Sequence, residues 1–153
     1  MKNKKIKKII LLKGKRKIVS LTSYTFPISK ILNRYCDFIL VGDSVGTVHY
    51  GMKSTKRVTL DMMIAHSKSV KLGAKKNLVL VDMPYKTYQN KFDAYVNASK
   101  IIKSTKCDGV KLEGGKKISK IISYLVKKNI PVMGHIGYLP QKSKFFVAGK
   151  SKV

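Results

Sequence analysis

The 153-residue sequence carries 33 lysines and arginines against 7 aspartates and glutamates, for a formal net charge of +26, and 44% of its residues are hydrophobic. That length and apolar content support one cored domain and exclude a low-complexity tail. The positive charge is nearly all lysine and is spread along the chain. This argues for a solvated basic surface that steers anionic small molecules, and makes a poor case for a nucleic-acid partner, whose groove reading favours bidentate arginine.

The N-terminal stretch MKNKKIKKIILLKGKRK has one apolar run, Ile9 to Leu12. That is too short for a signal-peptide core or a membrane span, so residues 1–16 read as an amphipathic helix or basic arm ahead of a domain over 17–153. From Lys17 onward two kinds of segment alternate. KIVSLTSY (17–24), FILVGD (38–43), LVLVDMP (78–84), DGVKLEGG (108–115) and IPVMGHIG (130–137) are short, rich in β-branched residues and stopped by Gly, Pro or polar residues. They read as buried strands. Between them, helical spacing links Ile28, Ile31, Leu32 and Tyr35; Leu60, Met63, Ile64 and Val70; Phe92, Tyr95, Val96 and Ile102; and Ile118, Ile121, Ile122, Leu125 and Val126. Each set predicts a helix covering one face of a sheet.

A repeated βα pattern requires parallel neighbours and gives an α/β fold. No GxGxxG follows the first strand, and AGKS (148–151) lacks the upstream glycine of a phosphate loop. A (β/α)8 barrel accounts better for polar residues gathered at several strand ends, because the site of that fold is built on its C-terminal face. Cys36 and Cys107 belong to no CxxC pair, which excludes a thiolate zinc site and fits a reducing cytoplasm.

Three of the seven acids, Asp43, Asp82 and Glu113, close apolar strands. In a parallel sheet those ends share one rim, and convergent carboxylates call for a hard cation, Mg2+ above all. Each could instead cap the following helix. Alternation along VKLEGG puts Lys111 beside Glu113 on one face, where the ammonium could hold a substrate carboxylate or form an internal ion pair. Ser44, just past Asp43, could donate its hydroxyl or N–H. His135, ending the fifth strand, is a candidate rim donor or a satisfied core histidine; His49 and His66 receive no role.

The motifs LVGDSVG (40–46), STKRVTLDMMIAH (54–66), VDMPYKTYQ (81–89), NASKIIKSTKCDGVKLEGG (97–115) and IPVMGHIGYLPQ (130–141) together resemble the ketopantoate hydroxymethyltransferase family, also called 3-methyl-2-oxobutanoate hydroxymethyltransferase. The resemblance runs from about Ile18 to the end. It implies a TIM barrel of the phosphoenolpyruvate/pyruvate type, here truncated after about five strands. It also implies transfer of a hydroxymethyl group from 5,10-methylenetetrahydrofolate to 3-methyl-2-oxobutanoate, giving 2-dehydropantoate on the route to pantothenate and coenzyme A. The residues carried over by motif are Asp43, Asp82 and Glu113 for Mg2+, and Asp43, Ser44, Asp82 and Lys111 for the ketoacid. A homo-oligomer is implied for the full-length protein, with no membrane association.

Departures accompany the match. Thr25 stands where the family usually has Asp, Arg57 replaces a proline, and GYLPQ modifies a GLTPQ-like loop. The family's general-base glutamate is expected beyond Val153, since the only glutamate here is Glu113. The alternatives are a metal- and ketoacid-binding piece that needs the remaining strands for catalysis, and a basic nucleic-acid-associated protein.

Overall fold

The structure, a computed structural model, describes residues 4–141. The closing VAGKSKV (147–153), with its AGKS and its resemblance to a family segment, lies outside the described residues. Strands β1 (Ser20–Thr22), β2 (Phe38–Val41), β3 (Leu78–Asp82), β4 (Gly109–Glu113) and β5 (Val132–His135) form one parallel sheet in the order β1-β2-β3-β4-β5. Each falls within a segment read from sequence as a strand. An order that never reverses distinguishes a barrel wall from a doubly wound sheet, whose strand order switches direction.

The helices are α1 (Lys4–Ile10), α2 (Phe26–Leu32), α3 (Val45–His49), α4 (Leu60–Gly73), α5 (Lys91–Thr105) and α6 (Ser119–Lys127). Their starts are chemically marked. Thr59 accepts from the Met62 N–H ahead of α4, Asn90 accepts from the Asp93 N–H ahead of α5, and Pro27 sits in the first turn of α2, where its missing donor costs nothing. α5 ends where Lys106 turns left-handed at φ +58° and returns its N–H to the Ile102 carbonyl. His49 closes the short α3.

α2 packs on α4, α4 on α5 and α5 on α6, so these helices share one side of the sheet. On that side Ile39, Val41, Val79, Val81, Val110 and Leu112 meet Met63, Val70, Ala98, Ile101 and Leu125 in the core, all of them fully buried. Three predicted helix faces need correction: on α6, Val126 is exposed while Leu125 is buried. Ile28, Ile31 and Tyr35 are exposed, while Ser29 is the buried residue of α2; Phe92 and Val96 are exposed, while Ala94, Ala98 and Ile101 face inward on α5. Small residues let the helices approach closely: a Cβ added at Gly73 would lie 2.2 Å from Ser29 Oγ.

α1 lies at the N-terminal end of the sheet. Lys5 Nζ donates to the Asn77 carbonyl at 2.8 Å, just before β3, and pairs with Asp108 at 3.8 Å, just before β4. Asp108 also pairs with Lys71 and accepts the Val79 N–H.

Candidate functional site at the C-terminal strand ends

The side of the sheet away from the helices carries the polar residues. In register, Leu40 aligns with Leu80, and Asp82 with Lys111; Glu113 aligns with His135. Val110 and Leu112 lie in the core, so alternation turns Lys111 and Glu113 the other way. Asp43, one residue beyond Gly42 at the end of β2, joins them by donating its backbone N–H to Asp82 Oδ2 at 3.1 Å. Gly42 leaves room there: a Cβ would stand 2.8 Å from Ser44 Oγ, which would have to move, and 3.6 Å from Asp82 Oδ2.

All three strand-closing carboxylates are buried. Lys111 Nζ lies 2.6 Å from Asp82 Oδ1. Burial raises the Asp82 carboxyl, and the Lys111 ammonium opposes it. Asp43 is raised by burial and then by the neighbouring Asp82 charge. Burial pushes Glu113 up to about 7, with Asp43 adding to the shift and the Gln141 N–H countering it. His135 Nδ1 stands 3.7 Å from Glu113 Oε2 and has no hydrogen-bond partner. Burial and the nearby Lys111 lower its affinity for a proton, so it sits beside Glu113 as a neutral ring at neutral pH. Ser44 Oγ is 2.7 Å from the Tyr24 hydroxyl. Every residue singled out from sequence therefore stands on this rim.

Three further residues organise the site. Tyr24, closing the β1 segment, holds Ser44, and its own carbonyl faces His66 Nδ1 at 2.8 Å. The Tyr88 hydroxyl lies 3.0 Å from the Glu113 carbonyl and within hydrogen-bond reach of Gln141 Oε1, and its one proton serves one of these two acceptors at a time. Gln141 is almost fully buried: its N–H donates to Glu113 Oε1 at 2.8 Å, and its Nε2 donates to Asp43 Oδ2 at 2.8 Å and to the Met83 carbonyl at 3.1 Å. Gln141 falls on no periodic pattern; its only trace in the sequence is its place in the GYLPQ motif.

Among the described residues, no three His, Cys, Asp or Glu side chains converge tightly enough to hold an ion by themselves. The donor chemistry nonetheless fits Mg2+. That ion takes one or two carboxylates together with water and substrate oxygens, and here three buried carboxyl groups offer hard oxygens beside a single ammonium. No helix among the described residues is long and apolar enough to cross a membrane.

The chain is 58% identical over 144 residues to 3-methyl-2-oxobutanoate hydroxymethyltransferase of Pelagibacter ubique, covering 94% of this chain and 56% of that protein. To the enzyme of the same name in Anaplasma marginale it is 57% identical (84% of this chain, 47% of that one), and to that of Rhizobium rhizogenes 52% (87% and 49%). The chain thus spans about half the length of these relatives. In fold it is similar to the crystal structure of 2,3-dimethylmalate lyase, a member of the PEP mutase/isocitrate lyase superfamily, with a TM-score of 0.62 at 12% identity over 88% of this chain and 54% of that one. Residues 3–152 match the profile described as ketopantoate hydroxymethyltransferase, a span that contains every rim residue above, and the chain belongs to that family.

Proposed function

We propose that this chain supplies the metal- and ketoacid-binding half of a site that transfers a hydroxymethyl group from 5,10-methylenetetrahydrofolate to 3-methyl-2-oxobutanoate, in pantothenate and coenzyme A synthesis. The observation that carries the reading is the gathering of Asp43, Asp82, Lys111, Glu113 and His135 on one rim within a family-matched span. Asp43, Asp82 and Glu113 are the residues to hold Mg2+, which when bound polarises the keto oxygen and eases loss of the C3 proton. Lys111 neutralises the substrate carboxylate, and Ser44, held by Tyr24, faces the ketoacid beside Asp43. His135 completes the rim as a hydrogen-bond donor. The two free cysteines support a reducing, cytoplasmic setting.

The proton acceptor is not among the other four acids. Asp37 pairs with Arg16, Asp61 with Lys100 and Asp108 with Lys71, and Asp93 bonds Asn90, all away from the rim. This favours, for the chain by itself, binding without turnover. Calorimetric titration with 3-methyl-2-oxobutanoate should show binding that requires Mg2+ and disappears in Asp82→Ala. Binding indifferent to both would overturn the assignment. Deuterium exchange at C3 of the ketoacid by the chain alone would show that it holds a proton acceptor as well.

A further inference from the structure

Gln141 makes four polar contacts at the rim, and they come from both its backbone and its side chain. Its N–H takes Glu113 Oε1, its Nε2 takes Asp43 Oδ2 and the Met83 carbonyl, and its Oε1 faces the Tyr88 hydroxyl. The amide can sit only one way round. A main-chain carbonyl only accepts, so the atom facing Met83 must be the NH2 group, which leaves the oxygen to Tyr88. The side chain is thereby tied to the ends of β2 and β3 and to Tyr88, across sequence separations of 98, 58 and 53 residues from Asp43, Met83 and Tyr88, while the backbone N–H of the same residue reaches Glu113 at the end of β4.

We propose that Gln141 is a positioning residue for the carboxylate cluster: it fixes the rotation of Asp43 and Glu113 by occupying one oxygen of each, and so sets the geometry in which they meet a divalent cation. The proposal rests on the Mg2+ reading above. Hydrogen-bond partners that orient ligating carboxylates change metal affinity by about 10- to 100-fold when removed. A residue that merely plugged the cluster would compete with the ion, and its removal would tighten binding.

The test is Mg2+ titration of the full chain by calorimetry, with melting in EDTA measured alongside. Gln141→Met keeps the volume and removes all three side-chain bonds while leaving the backbone bond to Glu113, and the expected result is Mg2+ binding weakened by about tenfold or more. The Mg2+-induced rise in melting temperature should shrink accordingly. Gln141→Asn keeps the polarity and the backbone bond to Glu113 but draws the amide back by one methylene; it covers the case in which the methionine variant fails to fold, and should also weaken binding. Wild-type or tighter affinity in a folded variant overturns the positioning role while leaving the metal site standing. No Mg2+ binding by the wild-type chain overturns both.

Discussion

Asp37 and Glu113 show how environment rather than residue type sets a carboxyl's behaviour. Arg16 grips Asp37 with two hydrogen bonds, at 2.8 and 2.6 Å, and the Val19 N–H adds a third at 2.9 Å, holding its carboxyl at about 2. Glu113, buried without such a partner, is pushed the other way. Because the folded value of Asp37 lies below the ordinary 3.8, its contribution to stability is present above that pH and is lost as pH falls towards about 2. Chemical denaturation of Asp37→Asn should therefore show a flatter decline of stability across that acid window than the wild type. The effect is small because the Arg16 end is half exposed, and an unchanged slope would refute it. At this scale the sequence was most informative where a residue broke its local pattern. An acid ending an apolar strand is such a break, which is why Asp43, Asp82 and Glu113 stood out. Gln141 breaks no pattern; its role comes from partners far away in the chain, and only the folded sheet brings them together.

Among the elements, strands were easier to read than helix faces, and the reason is physical. A strand buried on both sides is a continuous apolar run, as in β3, where every residue is buried. On a helix, large apolar residues draw the eye, but close helix packing uses small ones. α2 meets α4 through Ser29 and Gly73, leaving Ile28 and Ile31 outside. A methyl at Gly73 would also come within 2.7 Å of the Lys30 nitrogen and the Phe26 carbonyl, backbone atoms with no freedom to rotate away. Gly73→Ala should cost about 1–3 kcal/mol through the forced separation of α2 and α4. Phe92→Ala on the exposed side of α5 should fall within about 0.5 kcal/mol of wild type. Urea denaturation of the two variants checks the contrast, and equal losses would mean that the α2–α4 contact is not the tight one.

For the molecule as a whole, the unreversed strand order leaves β1 and β5 with one partner each among the described residues. An open parallel edge offers unpaired backbone groups to a second chain. Apolar side chains are exposed beside both edges, Val19 and Leu21 at one and Ile136 at the other. A net charge of +26 opposes association until salt screens it. Sedimentation velocity of the chain should thus show species larger than the monomer, growing as ionic strength rises. A monomer at every salt concentration would show that the edges are covered. In sequence, the parallel class followed from the βα alternation, but strand order needed the fold itself, since no local pattern names a strand's neighbours.

Strand β4 carries an acid at each end, and the two have become different kinds of residue. Asp108, at the entry, is enclosed by Lys71, Lys5 and the Val79 N–H, bonds that fasten α1 and α4 to the sheet. Glu113, at the exit five residues later, holds Gln141 beside Asp43 on the open rim. One short strand therefore carries the contacts that fasten its neighbours at its entry and the Gln141-bridged carboxylates at its exit.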